Sequence, residues 1–184
     1  METANPAKPA VQGEQAEQKH RLFFALWPDD TVRAQIAAAA HAVCKRPVAE
    51  ANLHLTLRFL GMQDEAALQC FRDVAGQVQG EPFGLVLDRY GGFERKRIQW
   101  LGTSAPPAAL SGLVSSLNRA LEACGIEAET RPFVPHVTLS RKAKKPVTAA
   151  IPEVIRWAVD DFVLVESVST PDGVRYVILE RWAL

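Results

Sequence analysis

The chain is poor in the residues that build metal centres and disulfide frameworks. Only four histidines and three cysteines occur in 184 residues. Cys44, Cys70 and Cys124 lack metal-ligand spacing, and their odd number argues against a disulfide framework. A reducing, cytoplasmic setting is the expectation that follows. No run of apolar residues reaches the length of a membrane span, so no membrane partner is expected. Neither sign of charge is in excess: Lys plus Arg and Asp plus Glu are 21 each. That balance excludes the global basic field that grips long nucleic acid, and any nucleic-acid contact must be local. Residues 1–19 carry no secretory pattern and hardly any large apolar side chains, Val11 being the exception after the initiator. Such a segment cannot bury enough surface to order itself and reads as a flexible tail. Residues 20–184 then form one domain, and a hydrophobic share of 48% is ample for its core.

Against that scarcity, two of the four histidines open the same pattern. His54-Leu55-Thr56-Leu57 and His136-Val137-Thr138-Leu139 both read His, aliphatic, Thr, Leu. On a β-strand alternate residues share a face. Each copy therefore offers one imidazole and one hydroxyl together, with two aliphatic side chains on the other face to anchor the strand in a core.

The surrounding pattern is duplicated in architecture. Arg21 to Trp27 is a compact apolar run that reads as a buried strand, and Pro28-Asp29-Asp30 signals a helix start. Val32, Ile36, Ala39 and Val43 follow at helical spacing, then the first His strand, about 53–60, closed by Gly61. A second helix carries Leu68, Phe71, Val74 and Val78 on one face, with Gly80 after its end. Phe83 to Tyr90 and Arg97 to Gly102 read as strands around a Gly91-Gly92 turn. Pro106-Pro107 opens a helix with Leu110, Leu113, Leu117 and Leu121 on its apolar face and Gly125 at its end, before the second His strand. Strand, helix and His-x-Thr strand thus occur twice, with 32 residues from Leu22 to His54 and 38 from Ile98 to His136. The expected fold is α+β and bilobal: pseudo-two-fold duplicated antiparallel sheets with outer helices, and the two His strands in a central cleft. Two last strands, about 157–167 and 175–182, flank a Pro171-Asp172-Gly173 turn.

Paired imidazoles suit a phosphoester. Water must lose a proton as it attacks phosphorus, the departing alkoxide must gain one, and the non-bridging oxygens need hydrogen-bond donors. Imidazole, with an ordinary pKa near ~6.5, serves as acid or base near neutral pH. Each such group supplies on the order of 10² to 10⁴ in rate. Thr56 and Thr138 offer hydroxyl donors to the phosphoryl oxygens. The arrangement requires no metal and no cofactor. A metal site on His54 and His136 has no evident third ligand.

At these motifs the chain resembles the two-histidine (2H) phosphoesterase superfamily, and within it the LigT-like RNA 2′,3′-cyclic phosphodiesterases, also called 2′-5′ RNA ligases. Asn52 to Gly61 resembles the first signature and Phe133 to Arg141 the second. Arg21 to Leu26 looks like the opening strand and Tyr176 to Trp182 the final one. The resemblance implies a bilobal fold and hydrolysis of a terminal RNA 2′,3′-cyclic phosphate to a 2′-phosphate. His54 would be the proton donor to the 3′ oxygen and His136 the proton acceptor from water, with Thr56, Thr138 and Arg141 binding phosphate. The resemblance also implies 2′-5′ RNA ligase activity, the joining of a cyclic end to a 5′-hydroxyl. Expected partners are RNA ends or small cyclic nucleotides, and the expected state is a monomer. The competing readings are a non-catalytic RNA-end or nucleotide binder of the same fold, and a phosphodiesterase for 2′-5′ oligonucleotides.

Other residues carry weaker signals. Arg58 shares the face of His54 and Thr56 by strand alternation, although an arginine at a strand end is more often solvated. The same alternation puts Arg141 opposite to His136 unless the strand bends. Lys142, Lys144 and Lys145, and separately Arg95-Lys96-Arg97, are local basic clusters that could steer an RNA backbone. Phe23 is a candidate for base stacking or for packing in the core. His20 and His41 are read as incidental.

Overall fold

In the computed structural model, which describes residues 19–171 and 173–184, the expected alternation of strands and helices is present. The tail over 1–18 and Asp172 of the last turn lie outside the described residues. Strand β1 (His20–Leu26) leads into helix α1 (Asp30–Val43), capped by the Asp29 carboxylate, which accepts from the Val32 amide at 2.8 Å. Strand β2 (Leu55–Gln63) follows, then helix α2 (Glu65–Ala75), capped in the same way by Asp64. Strands β3 (Phe83–Phe93) and β4 (Ile98–Gly102) form a hairpin, and helix α3 (Ala108–Glu122) connects to β5 (His136–Ser140). The chain closes with β6 (Ala149–Val159), β7 (Asp161–Thr170) and β8 (Gly173–Ala183).

All pairs are antiparallel and the eight strands hydrogen-bond in the order β6-β3-β4-β5-β2-β1-β7-β8. The two expected sheets are therefore one, split into halves of four strands with a His-x-Thr strand innermost in each. The halves meet at a single Cα pair, Leu55 with Val137. One face of the sheet is covered by the helices and holds the main core, including Leu22, Phe24, Leu55, Leu57, Val137 and Leu139. The helices cross over: α1, from the first half, packs on β5 and β6, and α3, from the second, packs on β2. The Tyr90 hydroxyl donates to the Ala39 carbonyl of α1 at 2.9 Å. The other face carries a small apolar cluster, Phe23, Ala25, Val163 and Val165, and is the face of the cleft.

Four sequence expectations change. Cys70 and Cys124 form a disulfide between α2 and the end of α3, leaving Cys44 free, so an odd count hid one bridge and one thiol. Helix α2 stops at Ala75, before Val78, because its chain turns at Gly76. The expected strand over 157–167 is the end of β6 and the start of β7, since both are apolar and only Asp160 separates them. Gly91-Gly92 is not a turn. Strand β3 runs through it, and the turn comes at Glu94–Lys96, with Arg97 in the left-handed region at φ 54°. The glycines are needed for close approach: a Cβ on Gly91 would lie 2.1 Å from the Trp100 ring, and one on Gly92 2.0 Å from Pro146.

Gly91→Ala is expected to cost about 1–3 kcal/mol in urea unfolding, because Trp100 must move. Gly84→Ala, in the same strand but facing open space, should stay within about 0.5 kcal/mol of the parent. Equal effects at the two positions would contradict the packing described.

Candidate active site

The Leu55–Val137 pair fixes where the four polar motif residues lie. With those two opposite each other and pointing into the core, antiparallel counting sets His54 across from Thr138 and Thr56 across from His136. The histidines therefore occupy one diagonal of a four-residue rectangle and the threonines the other, about 8 Å along the diagonal between Cα atoms. That spacing leaves room for one tetrahedral group between two ring nitrogens.

Both rings are aimed by the same local device. His54 Nδ1 lies 2.7 Å from the Asn52 carbonyl, and His136 Nδ1 lies 2.6 Å from the Val134 carbonyl. A carbonyl only accepts, so in each case Nδ1–H donates and Nε2 is left for the cleft. The Thr56 hydroxyl is 3.0 Å from His54 Nε2 and donates to the neutral ring. The Asn52 side chain in turn donates to the Val174 carbonyl at 2.8 Å, tying this corner to the β7–β8 hairpin.

Aromatic side chains hold the rings. Trp27 stacks on His54 with centroids 5.6 Å apart and planes 10° apart, while Phe23 and Tyr176 close in at 4.9 and 5.1 Å. Phe93 meets His136 edge-on at 5.2 Å. His54 is only 8% exposed and His136 is half-buried. Burial pushes the His54 imidazole down to about 4, opposed by its bond to Asn52 and assisted by the charges of Arg141 and His136. Burial also lowers His136, opposed by its bond to Val134 and assisted by Arg141 and Lys96. Both shifts favour the neutral form of the ring. Among the described residues, no cluster of three or more His, Cys, Asp and Glu side chains is arranged to hold a metal ion.

β-Bulges reassign two arginines. On β5, Trp100 pairs with Thr138 and Gln99 with Ser140, so Leu139 is the extra residue. Leu139 and Ser140 both point inward and are buried, which returns Arg141 to the side of the sheet that carries His136. Its electrostatic effect on both histidines agrees with that position. On β2, Leu57 is extra between Thr56 and Arg58, and the consequence is opposite. Arg58 leaves the face of His54 for the loop after α3, where the Glu127 carbonyl and, at 3.4 Å, the Glu129 carboxylate take it. Phe59 comes out in its place, 64% exposed and 6.1 Å from Phe23. Phe23 itself is buried beneath His54 and is a support for that ring, with no surface free for a base. His20, read as incidental, is held between Glu166 at 2.7 Å and Glu65 at 3.3 Å. Trp27, Phe59 and Tyr176 were not singled out in the sequence. Their sequence signals are positional: Trp27 ends the opening strand, Phe59 lies within the first signature and Tyr176 begins the final strand.

This geometry has relatives. A sequence model of the 2′-5′ RNA ligase superfamily matches residues 28–171. The chain is 39% identical over 170 residues to the RNA 2′,3′-cyclic phosphodiesterase of Escherichia coli (strain K12), covering 89% of this chain and 96% of that one. It is 32% identical over 178 residues to the protein of the same name from Thermus thermophilus, covering 89% and 90%. The solved structure of E. coli LigT complexed with 3′-AMP superposes with a TM-score of 0.84 at 36% identity, covering 91% of this chain and 99% of that one. The family match embraces both His-x-Thr motifs, and with it the chain belongs to the 2′-5′ RNA ligase superfamily.

Proposed function

We propose that this protein hydrolyses the terminal 2′,3′-cyclic phosphate of RNA to a 2′-phosphate, with His54 as proton donor and His136 as proton acceptor. The observation that carries the proposal is the diagonal placement of two imidazoles whose Nδ1–H groups are both occupied by backbone carbonyls, so that both Nε2 atoms face one space. The names and fold of the relatives support the substrate class.

The cyclic phosphate enters between the rings. His136 Nε2 takes a proton from water as the water oxygen bonds to phosphorus. The bond from phosphorus to the 3′ oxygen breaks in line, and His54 Nε2 delivers its proton to that oxygen. Atoms balance: water is consumed, the product is a 2′-phosphate with a free 3′-hydroxyl, and the two rings exchange protons with solvent to reset. Thr56 and Thr138, on the other diagonal, donate to the non-bridging oxygens, and Arg141 supplies a positive charge to them. With a 5′-hydroxyl in place of water the same roles join a cyclic end to it: His136 takes the hydroxyl proton as that oxygen bonds to phosphorus, the 3′ oxygen leaves with the proton from His54, and a 2′-5′ linkage forms. The proposal includes action as a monomer, since both histidines come from one chain and the cleft needs no second copy. It also includes a cytoplasmic setting, where the Cys70–Cys124 bridge would open to two thiols.

His54→Ala and His136→Ala should each lower turnover of a 2′,3′-cyclic nucleotide by about 10² to 10⁴ with the unfolding midpoint preserved. Chromatography of the product decides, and full activity in either variant removes the mechanism. The depressed His54 pKa adds a second expectation. Below its ordinary pKa an exposed imidazole would be charged, but burial keeps this one neutral down to about 4. A bound phosphate anion favours the charged form, so anion binding must raise the pKa and take up a proton. In NMR titrations His54 should move from about 4 to higher pH when 3′-AMP is added, and 3′-AMP affinity should rise as pH falls from 7 towards 5. A ring that titrates near 6.5 with and without ligand would contradict the role.

A further inference from the structure

Two basic clusters that lie 44 residues apart in the sequence are neighbours in space. Strand β4 begins just after Arg95-Lys96-Arg97, and β5 ends just before Arg141-Lys142-Ala143-Lys144-Lys145. Because β4 and β5 pair, these segments emerge at the same end of the sheet, and the Ala143 amide donates to the Arg97 carbonyl at 2.9 Å. All seven cations are exposed, and Glu94 is the one acidic residue over 94–97 and 140–146. Among the described residues none of the seven is in a salt bridge. In a chain of zero net charge this is a concentrated, uncompensated patch.

The patch is built, not loose. Gln99, 1% exposed, donates to the carbonyls of Gly91 at 2.9 Å and Val147 at 3.0 Å, and accepts from the Val147 amide at 2.6 Å. The close seat of Pro146 on Gly92 fixes the same loop. The patch also adjoins the cleft. Lys96 acts on His136, and Arg141 on both histidines. It then leads away: β5 spans about 13 Å from His136 to Ser140 at ~3.3 Å per residue, and the lysines follow beyond. A mononucleotide with its phosphate between the histidines is too short to cover that distance and the loop as well.

We infer that Arg95-Lys96-Arg97 and Arg141 to Lys145 form one track for the backbone phosphates of the RNA strand that ends in the cyclic phosphate, so that an oligonucleotide is held more tightly than a free cyclic nucleotide. This rests on the hydrolase reading above. Phosphate contacts of this type give affinity without sequence preference and are sensitive to salt.

The test compares a ten-nucleotide RNA ending in a 2′,3′-cyclic phosphate with a 2′,3′-cyclic mononucleotide, using the full chain and the variant Arg95→Ala/Lys144→Ala/Lys145→Ala. The variant should lose at least tenfold in kcat/KM on the ten-mer at low salt, through KM, and stay within twofold on the mononucleotide. The slope of log KM against log salt should shrink by about 2, at about 0.7 for each single-strand phosphate contact. Lys144→Arg/Lys145→Arg should behave as the parent. An unchanged ten-mer, or an equal loss on both substrates, overturns the track. Should the parent turn over neither substrate, the hydrolase reading fails on its own. The track is then judged by fluorescence anisotropy with the ten-mer ending in a 3′-phosphate, where a loss of binding in the variant sustains it and equal binding overturns it.

Discussion

The site depends on one backbone pairing. Among the described residues, Leu55 and Val137 are the one pair through which the two halves of the sheet meet as strands, and they are each the second residue of a His-x-Thr motif. A shift of one residue there would turn every side chain of one motif to the opposite face, burying an imidazole and exposing a leucine. The aliphatic positions prevent it. Leu55, Leu57, Val137 and Leu139 are all nearly inaccessible to solvent, and exchanging any of them for a polar neighbour would cost apolar burial on one face and desolvation on the other. The crossed helices reinforce the register, because α1 and α3 each bind the half they do not belong to.

Around that fixed pair, the two motifs are alike in backbone and unlike in environment. Each imidazole is oriented by the carbonyl two residues before it. His54 sits among Trp27, Phe23 and Tyr176 and is almost wholly buried, while His136 has Phe93 on one side and cations nearby. In these unlike surroundings burial lowers both imidazoles from their ordinary value, His54 to about 4.

The bulges show how small irregularities redistribute function. One inserted residue on β5 brings Arg141 to the face of the histidines, and one on β2 sends Arg58 away and lifts Phe59 out. Neither event changes the hydrophobic pattern enough to be read beforehand. Leu139-Ser140 reads as ordinary alternation until Ser140 is found buried, with its hydroxyl donating to the Arg46 carbonyl at 2.7 Å.

Local pattern was legible where it is set by local chemistry. The helix start at Pro28-Asp29-Asp30, the apolar faces of α1 and α3, and the alternation within each motif follow from propensity and periodicity, and the repeated His-x-Thr pattern named the polar residues of the cleft. Helical spacing alone could not say which half each helix would cover. Composition could not pair Cys70 with Cys124, because a disulfide needs proximity that only packing of α2 on α3 provides. Two basic segments separated by 44 residues could not be joined without the β4–β5 ladder. The sequence by itself determined which side chains can move protons and hold phosphate, since that is a property of their chemistry. The tertiary structure alone decided which of them share a space, how buried each is and which arginine arrives, because register, bulges and burial arise from contacts between residues remote along the chain.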